Sequence, residues 1–188
     1  MIPPGEHDFE VLYNCGVSYL TRANAIARQK EAGQSELNRL LSIACQRFTE
    51  AIQIQPKSIN AFHNLAVSTA KRARTLEDAE AQHAEYLQSF QLYQTAYQLA
   101  PQSENLLFDW GNALYRHAMS RQFKAMGSSD IFLMLQESFE KYHAALQIDP
   151  VFEASFINLS LVLTSLLSVP STSEPNQQQI LACNNKYT

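Results

Sequence analysis

Five histidines (His7, His63, His83, His117 and His143) and three cysteines (Cys15, Cys45 and Cys183) are the residues of this 188-residue chain best suited to hold a metal, attack a substrate or move a proton near neutrality. Their spacing serves none of these. No histidine has another histidine or a cysteine three or four residues away, and there is no HExxH, so no helix face offers two ligands to one ion. The five glycines are too scattered to cradle a phosphate, and Ser128-Ser129-Asp130 reads as a helix start rather than a nucleophile with its base. The residues therefore predict no catalysis, no metal and no cofactor. What they leave is binding, and that depends on the elements that carry the aromatic and amide side chains.

Three segments end alike: Ala51-Ile52-Gln53-Ile54-Gln55-Pro56, Ala96-Tyr97-Gln98-Leu99-Ala100-Pro101 and Ala145-Leu146-Gln147-Ile148-Asp149-Pro150. Proline lacks an amide hydrogen and clashes with the preceding turn, so each segment predicts a helix that stops at a fixed point. Counting back from each proline, a small residue (Ala44, Ser89, Ser138), an aromatic (Phe48, Tyr93, Tyr142) and an alanine (Ala51, Ala96, Ala145) recur at spacings of four and three. Such spacings put all three on one helix face, where small residues admit a neighbouring helix and the ring fills the gap. A second pattern precedes each ending. Gly16, Ala66, Gly111 and Ser160 align within Tyr13–Tyr19, Phe62–Val67, Phe108–Leu114 and Phe156–Ser160. Glycine inside a helix costs about 1 kcal/mol relative to alanine, so its use at Gly16 and Gly111 implies close helix crossing.

The bulk numbers agree with an all-α chain. With 46% apolar and 17% charged residues it can bury a continuous core, and few of its five glycines and seven prolines are placed to turn strands. A formal net charge of −4 offers nothing to a phosphate backbone, which argues against nucleic acid as a partner. The odd, widely spaced cysteines fit reduced thiols in an intracellular compartment, the cytoplasm or the surface of an organelle. Residues 1–6 show no basic-then-apolar leader, and Phe156–Val169 is too short and too interrupted by Asn158, Ser160, Thr164 and Ser165 to cross a bilayer.

These paired patterns resemble the tetratricopeptide repeat (TPR), whose first helix carries an aromatic or Leu, a Leu-Gly pair and a Tyr, and whose second carries Ala, Phe, Ala and Pro. Cys15 and Thr69 depart from it in place of Leu and Tyr. The resemblance implies a right-handed TPR-like α-solenoid of about three long helical hairpins plus one further helix. It gives a single domain over residues 1–169, with units at 9–56, 58–101, 103–150 and 153–169 and a polar tail or partial cap at 170–188. Successive prolines stand 45 residues (Pro56 to Pro101) and 49 residues (Pro101 to Pro150) apart, against about 34 in the usual repeat. The added length falls between the two helices of a pair and predicts longer hairpins. Bends are expected near Gly33-Gln34-Ser35, Thr75 to Asp78 and Gly127 to Asp130. Gly33 and Gly127 are expected to end first helices, and Ser35, Thr75 and Ser129 to cap second ones. Basic residues including Arg22, Arg28, Lys71, Arg72, Arg74 and Arg116 gather late in first helices, and Glu36, Glu77, Asp78, Glu80, Asp130 and Glu137 open second ones. Hairpin pairing and dipole complementarity explain that distribution better than a basic docking rim.

In such arrays the first helices line the concave side. The expected groove takes Tyr13 and Val17 from the first unit, Asn60, His63 and Val67 from the second, Asn105, Phe108, Asn112, Tyr115 and Arg116 from the third, and Ile157 and Leu161 from the fourth. It suits a helical or extended peptide, with aromatic and aliphatic contacts along its length and carboxamides bonding its backbone. The cation-based carboxylate clamp of chaperone-binding TPR proteins has no counterpart, since the matching positions are Tyr13, Val17, Asn64, Asn105 and Asp109. Thr75 to His83, ahead of Tyr93 and Ala96, also resembles the plant-type import receptor of the mitochondrial outer membrane. The sequence thus predicts a non-catalytic protein-interaction module that binds a peptide or partner helix. A rigid subunit of a larger assembly and a presequence receptor are the alternatives. The helix 153–169 is expected to leave Val162, Leu166 and Leu167 on an outer side, for the tail around Ile180-Leu181, a downstream segment or another protein to cover.

Overall fold

Helix exits set the architecture. In the computed structural model, which describes residues 5–29, 33–120 and 127–169 but not the side chains of Glu6 and Ser128, seven helices run α1 (Glu6–Ala27), α2 (Gln34–Ile54), α3 (Ile59–Ala73), α4 (Ala79–Leu99), α5 (Glu104–Met119), α6 (Ser128–Ile148) and α7 (Glu153–Ser168). There is no strand among the described residues. The three second helices close identically. Gln55, Ala100 and Asp149 donate their amides to the carbonyls of Ala51, Ala96 and Ala145 at 2.9, 3.0 and 2.9 Å, and a proline comes directly after each one. Two residues after the first two prolines, Ser58 and Ser103 accept from the amides of Ala61 and Leu106 at 3.3 Å, so the next helix starts at once.

All three second helices have 21 residues, whereas α3 has 15 and α5 has 16, so the extra length sits mainly in the second helices and in α1, which has 22. The expected caps are not the ones used. Gly33 and Gly127, expected to end first helices, instead stand at the N-cap positions of α2 and α6, without a side-chain cap bond, and α1 ends earlier, at Ala27. Gly127 has φ +123°, a conformation that suits glycine. Asp78 rather than Thr75 caps α4, its carboxylate accepting from the Ala81 amide at 2.7 Å. Thr75 is drawn into the turn, where it donates to the Arg72 carbonyl at 2.7 Å and accepts from Asn38 Nδ2 at 2.6 Å. Glu77 and Asp78 consequently precede α4 instead of lying in its first turn.

The chain divides into two units, Met1–Leu106 and Leu107–Thr188, with the division in the first turn of α5. In the first unit α1 packs on α2, α2 on α3, and α3 on α4. The pair α3/α4 is antiparallel: Ser89 Oγ donates to the Ala66 carbonyl (2.9 Å) and Gln82 Nε2 to the Ala73 carbonyl (3.3 Å). A core of Leu20, Ala23, Leu40, Leu41, Ala44, Phe48 and Leu65 fills the space between α1, α2 and α3. In the second unit α6 repeats the device, with Ser138 Oγ donating to the Gly111 carbonyl at 2.9 Å. Its core joins Ala118, Ile131, Phe132, Leu135, Phe139 and Tyr142 to Val162 and Leu166 of α7.

The nine residues of the small, aromatic, alanine pattern are all buried. A Cβ at Gly16 would lie 2.7 Å from the Phe48 ring, and one at Gly111 would lie 2.8 Å from Tyr142, so each glycine makes room for the aromatic of its own hairpin. Ser160, aligned with them, is exposed, because no described helix comes after α7 to lie over it.

Of the three residues expected on the outer side of α7, Leu167 lies there but Val162 and Leu166 do not. Val162 and Leu166 are 0% and 5% exposed and face the core, whereas Phe156 (51%), Ile157 (55%), Leu161 (49%) and Leu167 (69%) face outward. The helix is apolar nearly all round, so composition left its rotation undetermined, and contact with α6 chose the Val162 side. The tail 170–188, together with Lys30, Arg121, Lys124 and Cys183, lies outside the described residues.

Candidate functional site

The expected groove residues fall into two sets, one in each unit. In the first, α1 and α3 run side by side, tied by Asn64 Nδ2 to the Tyr13 hydroxyl (2.9 Å) and by Lys71 Nζ to Asn24 Oδ1 (2.8 Å). Tyr13 stacks on Phe9 with centroids 5.8 Å apart and packs tilted on Phe48 at 5.8 Å. Burial pushes its hydroxyl pKa up, against the lowering effect of the Asn64 bond. Val17 and Val67 are half-buried against the α1–α2–α3 core, and His63 packs on Tyr93 at 6.1 Å. Asn60 and Asn105 are exposed, and Asn105 Nδ2 donates to Glu104 at 2.6 Å.

In the second unit α5 and α7 lie side by side. Tyr142 donates to Asn112 Oδ1 at 2.9 Å, and Asn158 Nδ2 reaches the same oxygen at 2.8 Å. Burial raises the Tyr142 pKa strongly, although bonds from Ser138 and Asn158 oppose the shift. Phe108 is wedged between Tyr142 (5.8 Å) and Phe152 (5.0 Å). Tyr115 packs on the core, its hydroxyl 3.4 Å from Ser165 Oγ. Arg116, Ile157 and Leu161 are exposed.

A rule emerges across the pairs. Tyr13, His63 and Phe108 hold equivalent positions, and each ring rests on the aromatic of the second helix in its own pair: Phe48, Tyr93 and Tyr142. Their inner faces are spent on packing, and only their outer edges can meet a ligand. Ile157, the fourth equivalent, has no such ring beneath it among the described residues and stands exposed. Ile157 and Leu161 are therefore the most exposed apolar residues of the expected groove. Phe156 and Leu167, which the helix spacing does not assign to the groove, extend the same apolar surface. Periodicity within the helix gave no signal for them, because α7 is apolar nearly all round.

Several of the described basic residues are engaged in structure. Arg72 forms a forked pair with Glu85 across the α3/α4 hairpin, with Nη2 at 2.6 Å from Oε1 and Nε at 3.1 Å from Oε2. Lys141 lies 3.8 Å from the centre of the Trp110 ring. Lys71 and Arg74 border a cavity of about 250 Å³ at the end of the α1–α2–α3 layer, where Gln34 Nε2 donates to the Arg74 carbonyl at 3.3 Å. Two of the residues that carry the import-receptor resemblance, Thr75 and Asp78, serve the turn and cap of α4.

Among the described residues no three His, Cys, Asp or Glu side chains gather to hold a metal, and no helix is long and apolar enough to cross a membrane. Cys15 and Cys45 are free thiols. Cys45 is buried 3.7 Å from Thr69 Oγ1, and burial raises its pKa.

No family model matches the chain, and no curated protein matches it. Among solved structures it is similar to a thermophilic TPR protein of Thermus thermophilus. The two are 16% identical over 83% of this chain and 99% of that chain, with a TM-score of 0.39.

Proposed function

We propose that this chain is a non-catalytic protein-interaction module that holds a peptide or partner helix on the faces of its first helices. The supporting observation is the exposed apolar pair Ile157 and Leu161, about half open to solvent, on a helix tied to α5 by the Asn158 to Asn112 bond. An aliphatic surface beside carboxamides and ring edges gains by excluding water, at roughly 25 cal/mol per Å² of apolar area covered, and its amides fix the orientation of what it covers. Within each unit the hairpins support these faces, with their functional groups spent on packing rather than arranged around a reacting atom.

The test uses substitutions that leave the core alone. Ile157→Asp with Leu161→Asp should weaken capture of the partner isolated from native extract at least tenfold while the helical circular dichroism stays unchanged. Unaltered affinity would move the interface off this face. Phe108→Ala with Tyr115→Ala is a poorer probe, because Phe108 is packed between Tyr142 and Phe152 and its loss disturbs the fold.

A further inference from the structure

α7 is a first helix whose second helix is missing from the described residues, and the sequence beyond it carries the residues that such a helix would need. In α5, Leu107, Gly111 and Ala118 are buried; the equivalent residues of α7 are Phe156, Ser160 and Leu167, and all three are exposed. Each described second helix covers its first helix with a large apolar residue, then a small one three positions on, then an aromatic four further on. These are Leu41, Ala44 and Phe48 in α2, Tyr86, Ser89 and Tyr93 in α4, and Leu135, Ser138 and Tyr142 in α6, all of them buried.

The same triplet recurs once more, as Ile180, Cys183 and Tyr187. Its register is that of the second pair. Ala66 precedes Ser89 by 23 residues and Tyr93 by 27, and Ser160 precedes Cys183 by 23 and Tyr187 by 27. A further position agrees. Gln82, whose carboxamide reaches the Ala73 carbonyl in the α3/α4 pair, corresponds in this register to Asn176, which is also a carboxamide.

We propose that residues 173–188 of this same chain dock on the Phe156, Ser160 and Leu167 face of α7, with Tyr187 over Ser160 as Phe48 lies over Gly16 and Tyr142 over Gly111. This occupant leaves Ile157 and Leu161 open on the adjoining face of α7, on the side that corresponds to Phe108 and Asn112 of α5. It does not rest on the peptide-binding reading, and loss of binding in the Ile157 and Leu161 variants would leave it untouched.

A nitroxide at position 185 tests the placement in the full chain, using Asn185→Cys with Cys183→Ser and Cys15→Ala so that the label is directed to one site. Position 185 corresponds to Gln91, which is exposed in α4, so the label points away from the contact. The amide resonances of residues 156–167 should lose at least half their intensity relative to the reduced label. Mixing an isotope-labelled chain without nitroxide with an unlabelled chain that carries it should leave those resonances at full intensity. Undiminished α7 resonances, or broadening that persists in the mixed sample and so reports a second copy, would overturn the proposal. Independently, Ile180→Asp with Tyr187→Asp should lower the melting temperature by several degrees. Gln178→Asp with Asn185→Asp, at positions matching exposed residues of α4, should not; equal effects of the two pairs would also overturn it.

Discussion

A single hydrogen atom sets the spacing of the hairpins at Gly16 and Gly111. Alanine has the better helix propensity by about 1 kcal/mol, yet its methyl would stand 2.7 Å from the Phe48 ring or 2.8 Å from the Tyr142 ring, inside van der Waals contact. Gly16→Ala and Gly111→Ala should each destabilise the protein by about 1–3 kcal/mol in urea unfolding, the usual cost of overpacking. A gain in stability at either position would mean that the ring can move aside. The aligned Ser160 carries no such constraint, and Ser160→Ala should be nearly neutral in a chain truncated after residue 169. Alkaline stability belongs to the same scale. Burial raises the pKa of Cys45, Tyr13 and Tyr142 above ordinary values of 9.0, 10.0 and 10.0, so the folded state keeps protons that the unfolded state releases. Their contribution is fully present below about pH 9 and is lost as pH rises beyond each ordinary value. Unfolding free energy should therefore be flat to about pH 9 and then fall, with a shallower fall in Tyr142→Phe. An identical slope in that variant would show that Tyr142 ionises as freely in the folded protein as in the unfolded chain.

Individual helices were legible to different degrees, and the reasons are physical. The exits of α2, α4 and α6 could be read from sequence because alanine, proline and the intervening turn act locally, within six residues. The entries could not. Ser35, Thr75 and Ser129 all have capping chemistry, but a cap forms only where the backbone enters the helix, and long-range contacts such as Asn38 to Thr75 decide that. Rotation was legible where a polar face existed and illegible in α7, where Leu161, Val162, Leu163, Leu166 and Leu167 surround the axis. Of the expected groove residues, Tyr13, His63 and Phe108 rest their rings on Phe48, Tyr93 and Tyr142, which makes them packing groups as much as surface, a contact between helices that spacing within one helix does not reveal. Two substitutions weigh the hairpin contacts. Asp78→Ala should cost about 1 kcal/mol, the loss of an N-cap. Arg72→Ala should cost about 1.5–3 kcal/mol, as for a partly buried charged hydrogen bond, because both side chains of that pair are only 24% and 20% exposed. Arg39→Ala, in a pair 58% and 39% exposed, should leave the unfolding midpoint unchanged.

At the level of the molecule, the proposed contact surface and stability meet at the last helix. A chain ending at residue 169 would leave Phe156 and Leu167 open along with Ile157 and Leu161, a contiguous apolar surface of the kind that drives association. Removing residues 170–188 should therefore lower the melting temperature or the solubility, read by calorimetry and by light scattering against concentration. No change in either would show that the tail covers nothing.

The common exit of α2, α4 and α6 has a further consequence. Because the amide of the residue before each proline closes on the same alanine carbonyl, and the next helix begins within a few residues, the joints are interchangeable parts. A recombination event that cut at one proline and rejoined at another would meet matching backbone on both sides. A chain built this way can grow or shrink by whole hairpins without inventing a new corner.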